Sequence, residues 1–132
     1  MTLHAHKNTV HVTEFNRNGF HLLTGSKDQL LKLWDIRTGK ELETFKGTQK
    51  DVSVAKWHPI FENMFASASI NGDIFYWSTS HETPIGFVNS AHDQAIWTMD
   101  WHPLGHVLAT GSNDCATRFW SRSKLGEDDP TR

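Results

Sequence analysis

Apolar residues in this chain fall in short alternating runs separated by Gly, Pro, Asn and Asp, the patterning of half-buried β-strands. The clearest unit is Leu22 to Asp35, LLTGSKDQLLKLWD, where two apolar stretches flank a short polar turn. An Asp in such a turn accepts hydrogen bonds from nearby backbone N–H groups and fixes the hairpin. The unit returns as FASASINGDIFYWS (Phe65 to Ser78) and as VLATGSNDCATRFWS (Val107 to Ser121). Ser26, Ser69 and Ser112 stand 43 residues apart, and so do Trp34, Trp77 and Trp120.

A period near 40–45 with a Trp-Asp pair is that of a β-propeller blade. Each repeat has the same front. His6 precedes Val10, Thr13 and Phe15, then a turn at Asn16-Arg17-Asn18-Gly19. Thr48 precedes Val52, Ala55, Trp57 and His58-Pro59, and His92 precedes Ile96, Met99, Trp101 and Pro103-Leu104-Gly105. Apolar positions at offsets 0, +3 and +5 break strict alternation and predict a bulge near the start of this strand. Gly39 to Lys46 and Pro84 to Asn89 read as fourth, outer strands. After Trp120 the sequence turns polar (SRSKLGEDDPTR), with no alternating apolar run. The expected fold is therefore all-β, a propeller section of three four-stranded antiparallel blades, the third lacking its outer strand. The blades are placed at about 4–46, 47–90 and 91–122, followed by a polar C-terminal tail over 123–132. Propellers have four to eight blades, so three leave two apolar blade faces open. The isolated chain is expected to self-associate or to need further blades.

Composition narrows the setting. No apolar run approaches the ~20 residues of a membrane span, and the N-terminus does not resemble a secretory signal. The single cysteine, Cys115, excludes an intrachain disulfide and fits a reducing compartment. Residues 1–60 hold nine Lys/Arg against six Asp/Glu, a balance of +3; residues 61–132 hold four against nine, a balance of −5. A weakly basic half is compatible with a phosphate-bearing partner but is no nucleic-acid footprint.

The repeats resemble WD repeats: a His before the first strand, a Ser ending the second, an Asp in the following turn and a Trp on the third strand. The resemblance implies buried hydrogen-bonded tetrads of His6, Ser26, Asp28 and Trp34, and of His92, Ser112, Asp114 and Trp120. In the second repeat Thr48 and Asn71 replace His and Asp beside Ser69 and Trp77. That tetrad is expected to be weaker, because neutral Asn provides no charge-assisted acceptor. The Asp of the Trp-Asp pair survives only as Asp35, with Ser78 and Ser121 elsewhere.

A narrower resemblance rests on the long strings LLTGSKDQLLKLWDIRTGKELETFKG, AKWHPIFENMFASASINGD and AHDQAIWTMDWHPLGHVLATGSNDCATRFWSR. They are similar to the last blades of the WD-repeat subunits of the pre-mRNA 3′-end cleavage and polyadenylation factor. That resemblance implies a nuclear, non-enzymatic scaffold docking protein subunits of the factor and helping present polyadenylation-signal RNA, with RNA contact by this segment indirect. The alternative is a generic WD-repeat adaptor, such as a chromatin or ubiquitin-ligase substrate receptor. The family also implies a docking face made of the turns after the second strands and the loops before the first. It places there Lys27, Ile70 and Asn113 with Lys7, Lys50 and Gln94, and brings Trp97 near the rim, either as a channel plug or as a partner anchor.

Other chemistry is disfavoured. Zinc wants three or four ligands at constrained spacing, whereas only His6 and His92 of the nine histidines recur at equivalent positions. No metal, cofactor, small-molecule substrate or membrane is expected. His58-Pro59 and His102-Pro103 read as turn caps. Each tetrad contains Ser, His and Asp types, but no nucleophile is expected to face a cleft. A reactive thiol needs a lowered pKa, and Asp114 beside Cys115 acts the other way.

Overall fold

The computed structural model describes residues 1–122 and 128–130, and every regular element in them is a β-strand. In chain order these are β1 (Val10–Phe15), β2 (His21–Ser26), β3 (Leu31–Asp35), β4 (Lys40–Phe45), β5 (Val52–Trp57), β6 (Met64–Ser69), β7 (Ile74–Ser78), β8 (Gly86–Val88), β9 (Ile96–Trp101), β10 (Val107–Ser112), β11 (Thr117–Arg122) and β12 (Asp128–Pro130). They form three antiparallel meanders, β1-β2-β3-β4, β5-β6-β7-β8 and β9-β10-β11-β12.

The third sheet corrects the expectation of a missing outer strand. Arg122, Ser121 and Trp120 pair with Asp128, Asp129 and Pro130. A ladder needs backbone donors and acceptors, not apolar side chains, so a polar segment can supply three rungs. Proline, which lacks an N–H, is tolerated because this is an edge strand. The segment read as tail thus contributes to the third sheet.

The hairpins between second and third strands are alike. Gln29, Gly72 and Cys115 occupy the same turn position with φ of 73°, 90° and 70°. Their N–H groups donate to the carbonyls of Ser26, Ser69 and Ser112, each at 3.2 Å. The predicted bulges fall in the first strand of each sheet. Pairing shifts between Val10 and Val12, between Val52 and Val54, and opposite Gly111/Ser112, leaving His11, Ser53 and Trp97 as the extra residues.

Side chains alternate across each sheet and make two cores. Leu23, Leu31, Leu33 and Phe45 of the first sheet pack on Val52, Trp57, Phe65 and Trp77 of the second. Ala66, Ala68 and Ile74 of the second pack on Ile96, Met99, Leu108 and Trp120 of the third. Each large side chain so buried contributes about 1.5–3 kcal/mol. The indole N–H of Trp57 donates to the Glu14 carbonyl (3.0 Å), and that of Trp101 to the Lys56 carbonyl (3.2 Å), so the first strands are stitched in series. Equivalent positions at the two outer faces are open: Phe15, matching Trp57, is 61% exposed, and Phe119, matching Leu33, is 51% exposed.

Candidate functional site

The buried polar networks hold the turn geometry and are built differently from the expectation. In the first sheet His6 Nδ1 meets the Asp28 carboxylate at 2.9 Å, and His6 Nε2 meets Thr24 Oγ1 at 2.7 Å. Trp34 Nε1 donates to the same hydroxyl at 3.1 Å. The third sheet repeats this with His92, Asp114, Thr110 and Trp120 at 3.0, 2.7 and 2.9 Å. Every polar atom is satisfied when Trp N–H donates to Thr, Thr O–H to His Nε2, and His Nδ1–H to Asp.

The hydroxyl is therefore Thr24 or Thr110, not Ser26 or Ser112. Ser26 Oγ donates to the Thr9 carbonyl (2.8 Å) and accepts from the Asp28 N–H (3.0 Å), pinning the turn to the preceding loop. Ser112 does the same with the Gln94 carbonyl and the Asp114 N–H, each at 3.2 Å. Hairpin register carries the signal that separates the two hydroxyls. Leu22 lies opposite Trp34, so Thr24 is its diagonal neighbour and Ser26 stands one diagonal too far.

In the second sheet the network is cut into pieces. Trp77 Nε1 donates to Ser67 Oγ at 2.9 Å, so Ser67 rather than Ser69 receives the indole. Thr48 Oγ1 lies against the carbonyls of Gln29 (3.1 Å) and Lys50 (3.0 Å), and does not reach Asn71. Ser69 donates to Asn71 Oδ1, whose amide donates to Asp73 at 3.0 Å.

Asp28 and Asp114 are held ionised. Burial opposes the charge of Asp28, but the Leu30 N–H, the His6 ring and the Lys7 N–H together keep its carboxyl below the usual range. Burial likewise opposes Asp114, and the N–H groups of Ala116 and Asp93 with the His92 ring outweigh it, bringing the carboxyl to about 2.

These networks underlie one end of the molecule. Lys27 N–H donates to the Thr9 carbonyl at 2.9 Å, Ile70 N–H to Asp51 at 3.2 Å and Asn113 N–H to Ala95 at 3.2 Å. Each turn is thereby clasped to the loop that precedes its own sheet. Lys7, Lys27, Lys50, Ile70, Gln94, Trp97 and Asn113 are all exposed. Trp97, the extra residue of its bulge, is half exposed.

The opposite end is held by turn histidines. His58 Nδ1 accepts from Ile60 N–H (3.1 Å) and Phe61 N–H (3.0 Å), while its Nε2 meets the Gly105 carbonyl at 2.9 Å. His102 Nδ1 accepts from Leu104 N–H at 3.1 Å. Asn16, at the matching place in the first sheet, donates to the Glu62 carbonyl at 2.8 Å. Cys115 is exposed. Among the described residues no group of three His, Cys, Asp or Glu side chains is placed to hold a metal ion.

Four-stranded meanders stacked face to face, with His–Asp–Thr–Trp networks behind the turns of the first and third, define a WD-type β-propeller protein. The family model "WD domain, G-beta repeat" matches residues 1–35 and 83–121, and the chain belongs to that family. The unmatched stretch contains Thr48 and Asn71, where the network is broken. Among curated proteins the chain is similar to Polyadenylation factor subunit 2 of Schizosaccharomyces pombe, 35% identical with 98% of this chain and 31% of that protein covered. The proteins of the same name in Neurospora crassa (37% identical, 96% and 30% covered) and Saccharomyces cerevisiae (35% identical, 95% and 28% covered) are similar to it as well. The chain thus spans a little under a third of the length of these relatives.

Proposed function

We propose that this chain is part of a non-catalytic scaffold subunit of the nuclear machinery that forms mRNA 3′ ends, and that it docks protein subunits on the face carrying Lys7, Lys27 and Lys50. The similarity to subunits of a polyadenylation factor over nearly the whole chain supports the process. The observation that carries the docking face is the repeated clasp of exposed turn to exposed loop in all three sheets, which presents side chains on a rigid base. The lysines share this end of the molecule with the exposed Ile70, Asn113 and Trp97, a mixture of charge with apolar and amide groups suited to an acidic protein surface. RNA carrying the polyadenylation signal is presented through the assembled subunits rather than gripped by this chain.

The test is assembly in the full-length protein. Lys27→Glu and Lys50→Glu are expected to reduce recovery of processing-factor subunits at least severalfold while leaving the melting temperature unchanged. Recovery equal to that of the unmodified protein for both variants would sink the docking face. Co-purification of chromatin or ubiquitin-ligase subunits in place of processing factors would sink the process.

A further inference from the structure

The two seams between sheets are filled differently. In the first, the Phe65 ring lies between Trp57 (centroids 5.3 Å apart, edge to face) and Trp77 (5.9 Å apart, planes 11° from parallel). Phe45 closes against Phe65 and Trp77 at 5.1 and 5.6 Å. One repeat later the tryptophans persist as Trp101 and Trp120, but Leu108 stands where Phe65 stood. The strand pairing puts Val88 in the place of Phe45 and Gly86 in the place of Glu43. Tyr76 takes the place of Leu33, so the second seam loses two rings and a long side chain and gains one ring.

A partly enclosed cavity of about 230 Å³ opens there, lined by Met64, Tyr76, Gly86, Trp101 and Trp120 together with the turn around His58. An apolar cavity of roughly 150 Å³ accommodates benzene, so this one has room for a ring and its methylene. We propose that the slot receives an aromatic side chain of a partner protein, at the end of the molecule opposite the lysine face.

Charge selects a protein over a nucleic acid. A nucleobase also stacks on Trp and Tyr, but its phosphates require cations nearby. None of the residues lining the slot is Lys, Arg, Asp or Glu. All of them except His58 come from residues 61–132, which carry a balance of −5. An aromatic side chain matches the ring slot and its uncharged lining. Among the described residues the neighbouring strand β8 pairs on one side only, with β7. Its outer edge can accept an extended segment by strand addition, with Gly86 leaving the approach to the slot bare.

Indole N–H resonances of the chain provide the test, with capped Lys-Phe-Lys as probe, capped Lys-Ala-Lys as control and a six-nucleotide oligouridylate as the competing class. The expected result is a saturable shift of the Trp101 and Trp120 signals by the Phe peptide, at least tenfold weaker with the Ala peptide and absent with the RNA. Leu108 is fully buried between Trp101 and Trp120, and Leu108→Phe places there the ring found in the first seam, which is expected to crowd the slot and weaken the Phe peptide at least tenfold. Gly86→Leu obstructs the slot from the strand edge, where an added Cβ finds only ordinary contacts with Tyr76 at 3.7 and 3.9 Å, and is expected to weaken the peptide equally. It carries the test if the first variant does not fold. Equal affinity for both peptides, shifts produced by the RNA, or undiminished peptide binding in folded Leu108→Phe or Gly86→Leu would each overturn the proposal.

Discussion

Gly72 sits against the backbone of His92 with no space for a side chain: a Cβ there would lie 2.1 Å from the His92 carbonyl oxygen. The His92 N–H in turn donates to the Gly72 carbonyl at 3.1 Å, so turn and loop of successive sheets are locked together. Gly72 also has φ of 90°, which an L-residue adopts at a cost of about 1–2 kcal/mol. Gly72→Ala is therefore expected to lose about 3 kcal/mol, steric displacement of backbone adding to that cost. Cys115 occupies the same turn position with φ of 70°. Cys115→Gly is expected to be neutral or to gain up to about 1 kcal/mol. Urea midpoints of the two variants check the opposite signs.

Thr110 is the junction of its network, and Ser112 is not. Thr110→Val keeps the shape but leaves the indole of Trp120 and Nε2 of His92 without their partner. The expected loss is about 2–3 kcal/mol, against about 1 kcal/mol for Ser112→Ala. Equal losses would show that the hydroxyl nearer the turn carries as much of the network.

The same network makes stability depend on acid. Asp114 has a folded-state carboxyl at about 2, below the 3.8 of an unperturbed Asp. A depressed pKa means that the folded state binds fewer protons than the unfolded one. Its stabilisation is complete above about pH 4 and lost as pH falls toward about 2. Asp28 shifts in the same direction. Asp114→Asn should flatten the fall of melting temperature across that window. A variant that parallels the unmodified chain throughout would refute the linkage.

The third sheet is seated by a histidine of the second. A Cβ on Gly105 would lie 2.3 Å from His58 Cε1 and 2.5 Å from its Nε2, and the glycine has φ of 80°. Gly105→Ala should displace the ring and lower the melting temperature. His58→Ala in the same chain should absorb part of that loss, because the clash disappears with the ring. Additive losses would mean that the two residues do not interact.

Phe15 and Phe119 occupy positions that are buried between sheets elsewhere in the chain, yet both are more than half exposed. Sedimentation of the 132-residue chain is expected to depend on concentration. Phe15→Lys with Phe119→Lys should remove most of that dependence without lowering the melting temperature. Concentration-independent sedimentation of the unmodified chain would show that these faces are not adhesive.

Much of the architecture was readable because the repeat is covalent. The shared spacing of Trp34, Trp77 and Trp120 fixes three hairpins at once. The broken alternation after His6, Thr48 and His92 foretells the bulges at His11, Ser53 and Trp97. Thr24 and Ser26 lie on the same face of one strand, so residue type alone does not show which hydroxyl joins the network. Strand β12 is not legible in the sequence, because its backbone pairing leaves no apolar trace. The slot beside Trp101 required the two seams to be compared in three dimensions, since Leu108 looks like an ordinary core residue in sequence.

The carbonyls that receive Trp57 and Trp101 both come earlier in the chain, at Glu14 and Lys56. During synthesis, each tryptophan emerges after its acceptor strand has been made. Each new sheet can be moored as soon as its first strand appears, while its remaining three strands are still to come. Order of translation and order of docking then coincide, and the nascent chain exposes one unfinished seam at a time.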